Sequence, residues 1–162
     1  MLVRFTKSAP TDPADRITCI RDDGTVTVAA LPRQGILPHD GFHFVVETTL
    51  GWPDAFFGAV AAGAELDRVT SALHGPTAKT AGSVRARQSE ALVGCLQANQ
   101  WGGATDATQF KKELAAACRR RGVKAPPLAA PTLTALREAI RAFGAAWRPL
   151  NPGQSLERTF AP

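Results

Sequence analysis

No window of this chain approaches the roughly 20 consecutive apolar residues that a membrane-spanning helix needs, and the start, Met1-Leu2-Val3-Arg4-Phe5-Thr6-Lys7, lacks the apolar run of a secretory signal. A soluble, cytoplasmic protein is therefore expected. Cysteine is scarce: Cys19, Cys95 and Cys118 are odd in number and have no short paired spacing. That argues against a disulfide framework and a cysteine zinc site, and leaves three reduced, buried thiols. Gly82, Gly102 and Gly103 fall in no G-x-G-x-x-G or G-x-x-x-x-G-K pattern, so a phosphate-binding loop is missing. No serine occupies a G-x-S-x-G elbow, and neither Cys95 nor Cys118 has a local activating sequence, which leaves nucleophilic Ser or Cys catalysis without support. There is no internal repeat.

What is present suits one globular α+β domain spanning residues 1–162, with 44% hydrophobic and 20% charged residues to build a core and a surface. The net charge of +5 is unevenly spread: residues 1–110 hold 9 Lys and Arg against 11 Asp and Glu, whereas residues 111–148 hold 9 against 2. Lys111, Lys112, Arg119, Arg120, Arg121 and Lys124 can meet the phosphates of a nucleic acid or another acidic partner, with Trp147 for stacking if the fold exposes it. Cations at a helix C-terminus also complement the helix dipole, which explains the Arg119–Arg121 triplet without any ligand.

Residues 2–7, 16–21 and 25–31 are rich in Val, Ile, Thr and Phe, with apolar alternation at Ile17/Cys19 and Val26/Val28/Ala30, and are predicted strands. Asp22-Asp23-Gly24 predicts a tight type I′ hairpin between the last two, because Gly accepts positive φ and Asp tolerates it. Ser8 to Asp15 is expected as a loop. After the connection Arg33-Gln34-Gly35 the period becomes helical, with Phe42, Val46, Thr49 and Leu50 on one side and Gly51 as C-cap. Pro53 suits the first position of a second helix carrying Phe56, Phe57 and Val60. Residues 64–72 are expected to add a short helical turn and residues 74–83 a mobile loop. Further helices are predicted from Val84 to Trp101, from a cap at Thr105 or Asp106 to the basic triplet, and from Thr132 to Trp147. Ser155 to Phe160 alternates like a strand and is expected to return to an edge of the N-terminal sheet. The sum is a small antiparallel sheet packed against about five helices.

Site-type side chains gather at Leu37-Pro38-His39-Asp40-Gly41-Phe42-His43-Phe44-Val45-Val46-Glu47. On a helix His39 and His43 stand about 40° apart in projection and roughly 6 Å apart along the axis, so both imidazoles can reach one ion. This is the histidine geometry of the H-E-x-x-H zinc motif, with Asp40 where the general base would be, although its shorter side chain draws the carboxylate back from a metal-bound water. Glu47 lies roughly 12 Å along the axis from His39 and cannot share an ion with it; it can serve with His43 or orient that imidazole as an outer acceptor. Catalytic zinc takes three protein ligands and leaves a position open, so another ligand must come from elsewhere. Glu90 is the first choice, because it interrupts a weakly charged helical segment; Glu65, Asp67 and His74 follow. The same residues also fit a metal-free binding pocket or a half-buried polar cluster, with the histidines bonded to backbone or Glu47 and Asp40 placed for the helix dipole.

This segment, followed by Phe57-Gly58-Ala59-Val60-Ala61-Ala62-Gly63, resembles a group of small uncharacterised bacterial proteins sharing L-P-H-D-x-x-H-[FY]-x-V-E and W/F-G-x-(hydrophobic)-A-x-G segments. The resemblance covers about 30 residues and implies a common module without an activity, substrate or catalytic residue. An H-D-x-x-H metal motif also marks the ubiquinone-biosynthesis accessory family, but that family's further Glu is replaced here by Ala55. The expected functions are, in order, a binding or regulatory protein with a His/carboxylate site, a metal-dependent hydrolase-like enzyme, and a nucleic-acid-binding module.

Overall fold

Strand alternation builds the sheet that backs the site. In the computed structural model, which describes residues 1–33, 37–74, 79–103 and 105–161, β1 (Leu2–Thr6) turns Val3 and Phe5 into the core and β2 (Asp15–Ile20) turns Ile17 and Cys19 the same way. β3 (Val26–Leu31) and β4 (Ser155–Thr159) complete an antiparallel sheet in the order β3-β2-β1-β4. The C-terminal strand thus returns to an edge beside β1, as its alternation suggests, with Leu156 opposite Phe5.

The β2–β3 hairpin differs from the expected type I′ turn. Among the described residues no non-glycine has positive φ; only Gly24 does in this loop, at 82°. Gly24 N–H donates to Arg21 O (3.0 Å) and Arg21 N–H to Thr25 O (2.9 Å), the pattern of a type I turn closed by a left-handed glycine in a three-residue loop. That extra residue sets the register Cys19↔Thr27 and Ile17↔Ala29. Thr27 and Leu31 consequently face inward, while Val26 and Val28 stand about half exposed on the outer face.

The helices pack on the sheet's inner side. α1 (His39–Leu50) is buried continuously from Gly41 to Glu47 and carries Phe44 into ring contact with Phe5 of β1, 6.0 Å between centroids. A Cβ on Gly41 would lie 3.1 Å from the Phe143 ring, so glycine lets α1 pass close to α6 (Ala130–Trp147). Gly51, at φ 61°, closes α1, and Trp52 N–H reaches back to Glu47 O at 2.9 Å. α2 (Phe56–Ala61) begins three residues after the expected Pro53 start, for a reason that lies in the site. α3 (Leu66–His74) is a helix of 9 residues rather than a short turn, and the described residues hold six helices beside the small antiparallel sheet, the α+β architecture expected. α4 (Val84–Gly102) is capped by Ser83, and α5 (Ala107–Arg120) by Asp106. No described helix is long and apolar enough to cross a membrane, and all three cysteines are free and buried. The predicted connection at Gln34-Gly35 and residues 75–78 of the predicted loop lie outside the described residues.

Candidate metal centre

α1 starts at His39 and reaches His43 one turn later, which places the two rings 4.8 Å apart between centroids. α4 packs beside α1 and sets Glu90 against both. His43 Nε2 lies 2.9 Å from Glu90 Oε2 and 3.2 Å from His39 Nε2, and His39 Nε2 lies 3.4 Å from the same carboxylate oxygen. Ligand atoms around tetrahedral zinc are separated by about 3.3 Å at bond lengths of roughly 2.05 Å. An ion at that distance from all three atoms would stand about 0.9 Å off their plane, against roughly 0.7 Å in a regular tetrahedron. Among the described residues this is the group of His, Cys, Asp and Glu that can hold a metal ion.

Outer partners aim each of these atoms. His39 Nδ1 lies 3.0 Å from Gln97 Oε1, and His43 Nδ1 lies 3.1 Å from both Glu47 Oε1 and Ser89 Oγ. An imidazole that donates through Nδ1 turns the lone pair of Nε2 toward the shared point. Glu90 Oε1 accepts from Arg121 Nη2 at 3.1 Å and pairs with His74 Nε2 at 3.2 Å, which leaves Oε2 to the imidazoles. Glu47, fully buried, also accepts from Ser89 Oγ (3.0 Å) and from the amides of Phe56 (3.1 Å) and Phe57 (2.8 Å). Its carboxylate satisfies the first two amides of α2, and this is why that helix starts at Phe56 rather than at Pro53.

Burial by itself would lower the pKa of His43, but the hydrogen bonds and charges of Glu47 and Glu90 overcome it and raise the ring to about 10. Burial likewise opposes ionisation of Glu90, yet its bonds to His39, His43 and His74 hold the carboxyl far below the usual range. The raised His43 and the lowered Glu90 both favour an ion pair across their 2.9 Å contact.

The structure brings His39, His43 and Glu90 together and sets Glu47 behind His43, as an orienting acceptor. Asp40 occupies the first turn of α1, where burial raises its pKa against the pull of His43 and His39. Its charge is also felt by the Cys19 thiol, which burial, then Asp40, pushes up to about 12. Asp40 is not among the residues lining the cavity of about 800 Å³ that opens beside His39 and Glu90. Glu65 pairs instead with Arg21 at 3.6 Å, and Asp67 is exposed near β2 and β3. His74 reaches Glu90 rather than the shared point. Sequence reasoning missed Ser89, Gln97 and Arg121 as supports. Gln97 lies two turns beyond Glu90 on α4, a spacing that marks one face, but the role of Arg121 depends on how α5 docks. Of the basic residues, Lys111, Lys112, Arg119, Arg120 and Lys124 are exposed, whereas Arg121 is drawn inward to Glu90. Trp147 is 3% exposed, with the Lys7 ammonium 4.5 Å from its ring centroid, and so offers no stacking face. Compared with protein-family models, curated proteins and solved structures, the chain matches none at a significant level.

Proposed function

We propose that this chain binds one divalent transition-metal ion, with zinc the best fit, through His39 Nε2, His43 Nε2 and Glu90 Oε2. The observation carrying the reading is the triangle of 2.9, 3.2 and 3.4 Å between atoms whose far sides are all tied to other groups. Two imidazoles and one carboxylate form a ligand set of reactive zinc sites and of iron(II) centres, rather than of closed structural zinc sites, which hold four protein ligands. On this reading the cavity lined by His39 and Glu90 would give access to the remaining position. A water bound there would have its pKa lowered to about 7, which favours hydrolytic chemistry. A hydroxide formed there would be the nucleophile, and Asp40 lies outside the cavity lining.

The test is elemental analysis of protein purified without chelator or affinity-resin metal. One zinc per chain is expected in the native protein and none in His43→Ala. Iron in place of zinc would keep the ligand set and change the chemistry; stoichiometric metal absent from both preparations would overturn the reading and leave His43 as a buried imidazolium.

A further inference from the structure

The cavity beside the centre has two walls carrying small residues and a charged rim. The α4 wall is made of small residues at helical spacing, Ala91, Gly94 and Ala98, and α5 faces it with Ala116 and Ala117. The rim is cationic. Lys79, Arg120 and Arg121 line it against two carboxylates, Glu90 and Glu113. The cations converge for a structural reason: Arg87 Nη1 donates to Lys79 O at 2.6 Å and lies 3.4 Å from Arg121 O, joining the segment after residue 78 to the C-terminus of α5. Arg121 is committed to Glu90, while no side-chain hydrogen bond or ion pair is found for Arg120 or Lys79 among the described residues.

Gly94 marks where the α4 wall can be altered without a clash. A glycine inside a helix of 19 residues costs stability relative to alanine, yet a Cβ added there would meet no atom within 4 Å. Gly94 lies exposed on the α4 wall, so a larger side chain there has room to project into the cavity. The volume of about 800 Å³ falls in the range of small-molecule sites.

We propose that this cavity binds a small organic anion, a carboxylate or phosphate bearing a short apolar body, with Arg120 and Lys79 holding the charged group and the Ala/Gly walls of α4 and α5 holding the body. The proposal builds on the metal centre, whose ion would add two positive charges at the inner end, but the cationic rim stands without it. A neutral or cationic molecule of the same shape lacks the complementary charge.

Calorimetric titration with octanoate, octyl phosphate and octan-1-ol tests this on zinc-loaded native protein, with zinc content measured on each sample. Both anions are expected to bind at least about tenfold more tightly than the alcohol, and Arg120→Gln combined with Lys79→Gln should remove most of that preference. Gly94→Leu should weaken both anions at least about tenfold by projecting into the cavity from its α4 wall while leaving the zinc content unchanged, which also shows that the variant is folded. The better of the two anions identifies the charged group. Equal affinity for anion and alcohol, or binding undiminished in Gly94→Leu, would overturn the proposal, as would the lack of anion binding at about 1 mM in a sample that holds its zinc. A chain that takes up no zinc overturns the metal reading alone; the same titrations on metal-free protein then decide the anion site, because Arg120, Lys79 and Gly94 remain in place.

Discussion

Glu47 and Glu90 divide the work of two buried carboxylates. Glu90 offers one oxygen to the imidazoles and gives the other to Arg121 and His74, whereas Glu47 touches no shared point and orients His43 from behind. Removing them should therefore have different effects. Glu90→Gln deletes a charged ligand and is expected to abolish zinc binding, so added zinc should raise the melting temperature of the native protein and not of the variant. Glu47→Gln should weaken zinc binding by roughly 10–100-fold, as loss of an outer partner of a ligating histidine does. It should also lower stability with or without metal, because the Phe56 and Phe57 amides lose a charged acceptor. Metal titration with melting curves on both variants distinguishes the two roles. The metal-free protein should also respond to alkali. A ring whose pKa is raised to about 10 when folded contributes stability that is complete below its unfolded value, about 6.5, and is lost as pH rises toward 10. Urea midpoints should fall from pH 6.5 to 8.5 in the native chain and stay flatter in His43→Gln. That window excludes the buried Cys19 and Cys118 thiols, pushed up to about 12 and 11, whose contribution starts near their ordinary value of 9.0.

At the scale of elements, caps and close approaches fix where helices begin and how near they come. Asp106 accepts from the amides of Thr108 (2.8 Å) and Gln109 (2.9 Å) at the start of α5. Asp106→Ala should lower the denaturant midpoint, as loss of a side-chain N-cap does. Gly58 is constrained differently: a Cβ there would overlap the Pro53 carbonyl oxygen, so α2 can dock as it does only with glycine at that position. Gly58→Ala should force α2 away from Pro53 and, through Phe56 and Phe57, disturb the acceptor behind His43. Lower melting temperature together with weaker zinc binding is the expected result. Loss of stability with unchanged metal affinity would show that α2 and the site are independent. Caps of this second kind were not legible in the sequence. Asp106 announces α5 because cap and helix are neighbours, but α2 is capped by a residue nine positions upstream, on another helix.

Across the whole molecule, the ends of the chain hold each other. β4 covers the edge of β1, and Phe160 packs 5.7 Å from the Phe57 ring and 6.4 Å from that of Phe44 on the site helix. A chain cut after Leu150 would expose the β1 edge and remove Leu156 and Phe160 from the core, and it should lose cooperative unfolding and zinc binding together. The sequence by itself determined the class of the fold, the four strands, the return of the last strand to an edge, and the His39/His43 pair. Those features rest on period and spacing, and a period of two or of 3.6 is written locally. It also singled out Glu90 by its charge in a weakly charged helix, and set a limit on Glu47 from helical rise alone. Only the tertiary structure decided that Glu90 meets both imidazoles, that Glu47 begins α2, that Arg121 turns inward while Arg119 stays outside, and that Trp147 is covered. It also decided which face of β3 is buried, because one extra residue in the hairpin reversed its alternation. The face of β3 turns on the length of a local loop, whereas the others depend on how separate elements dock, which no local pattern records.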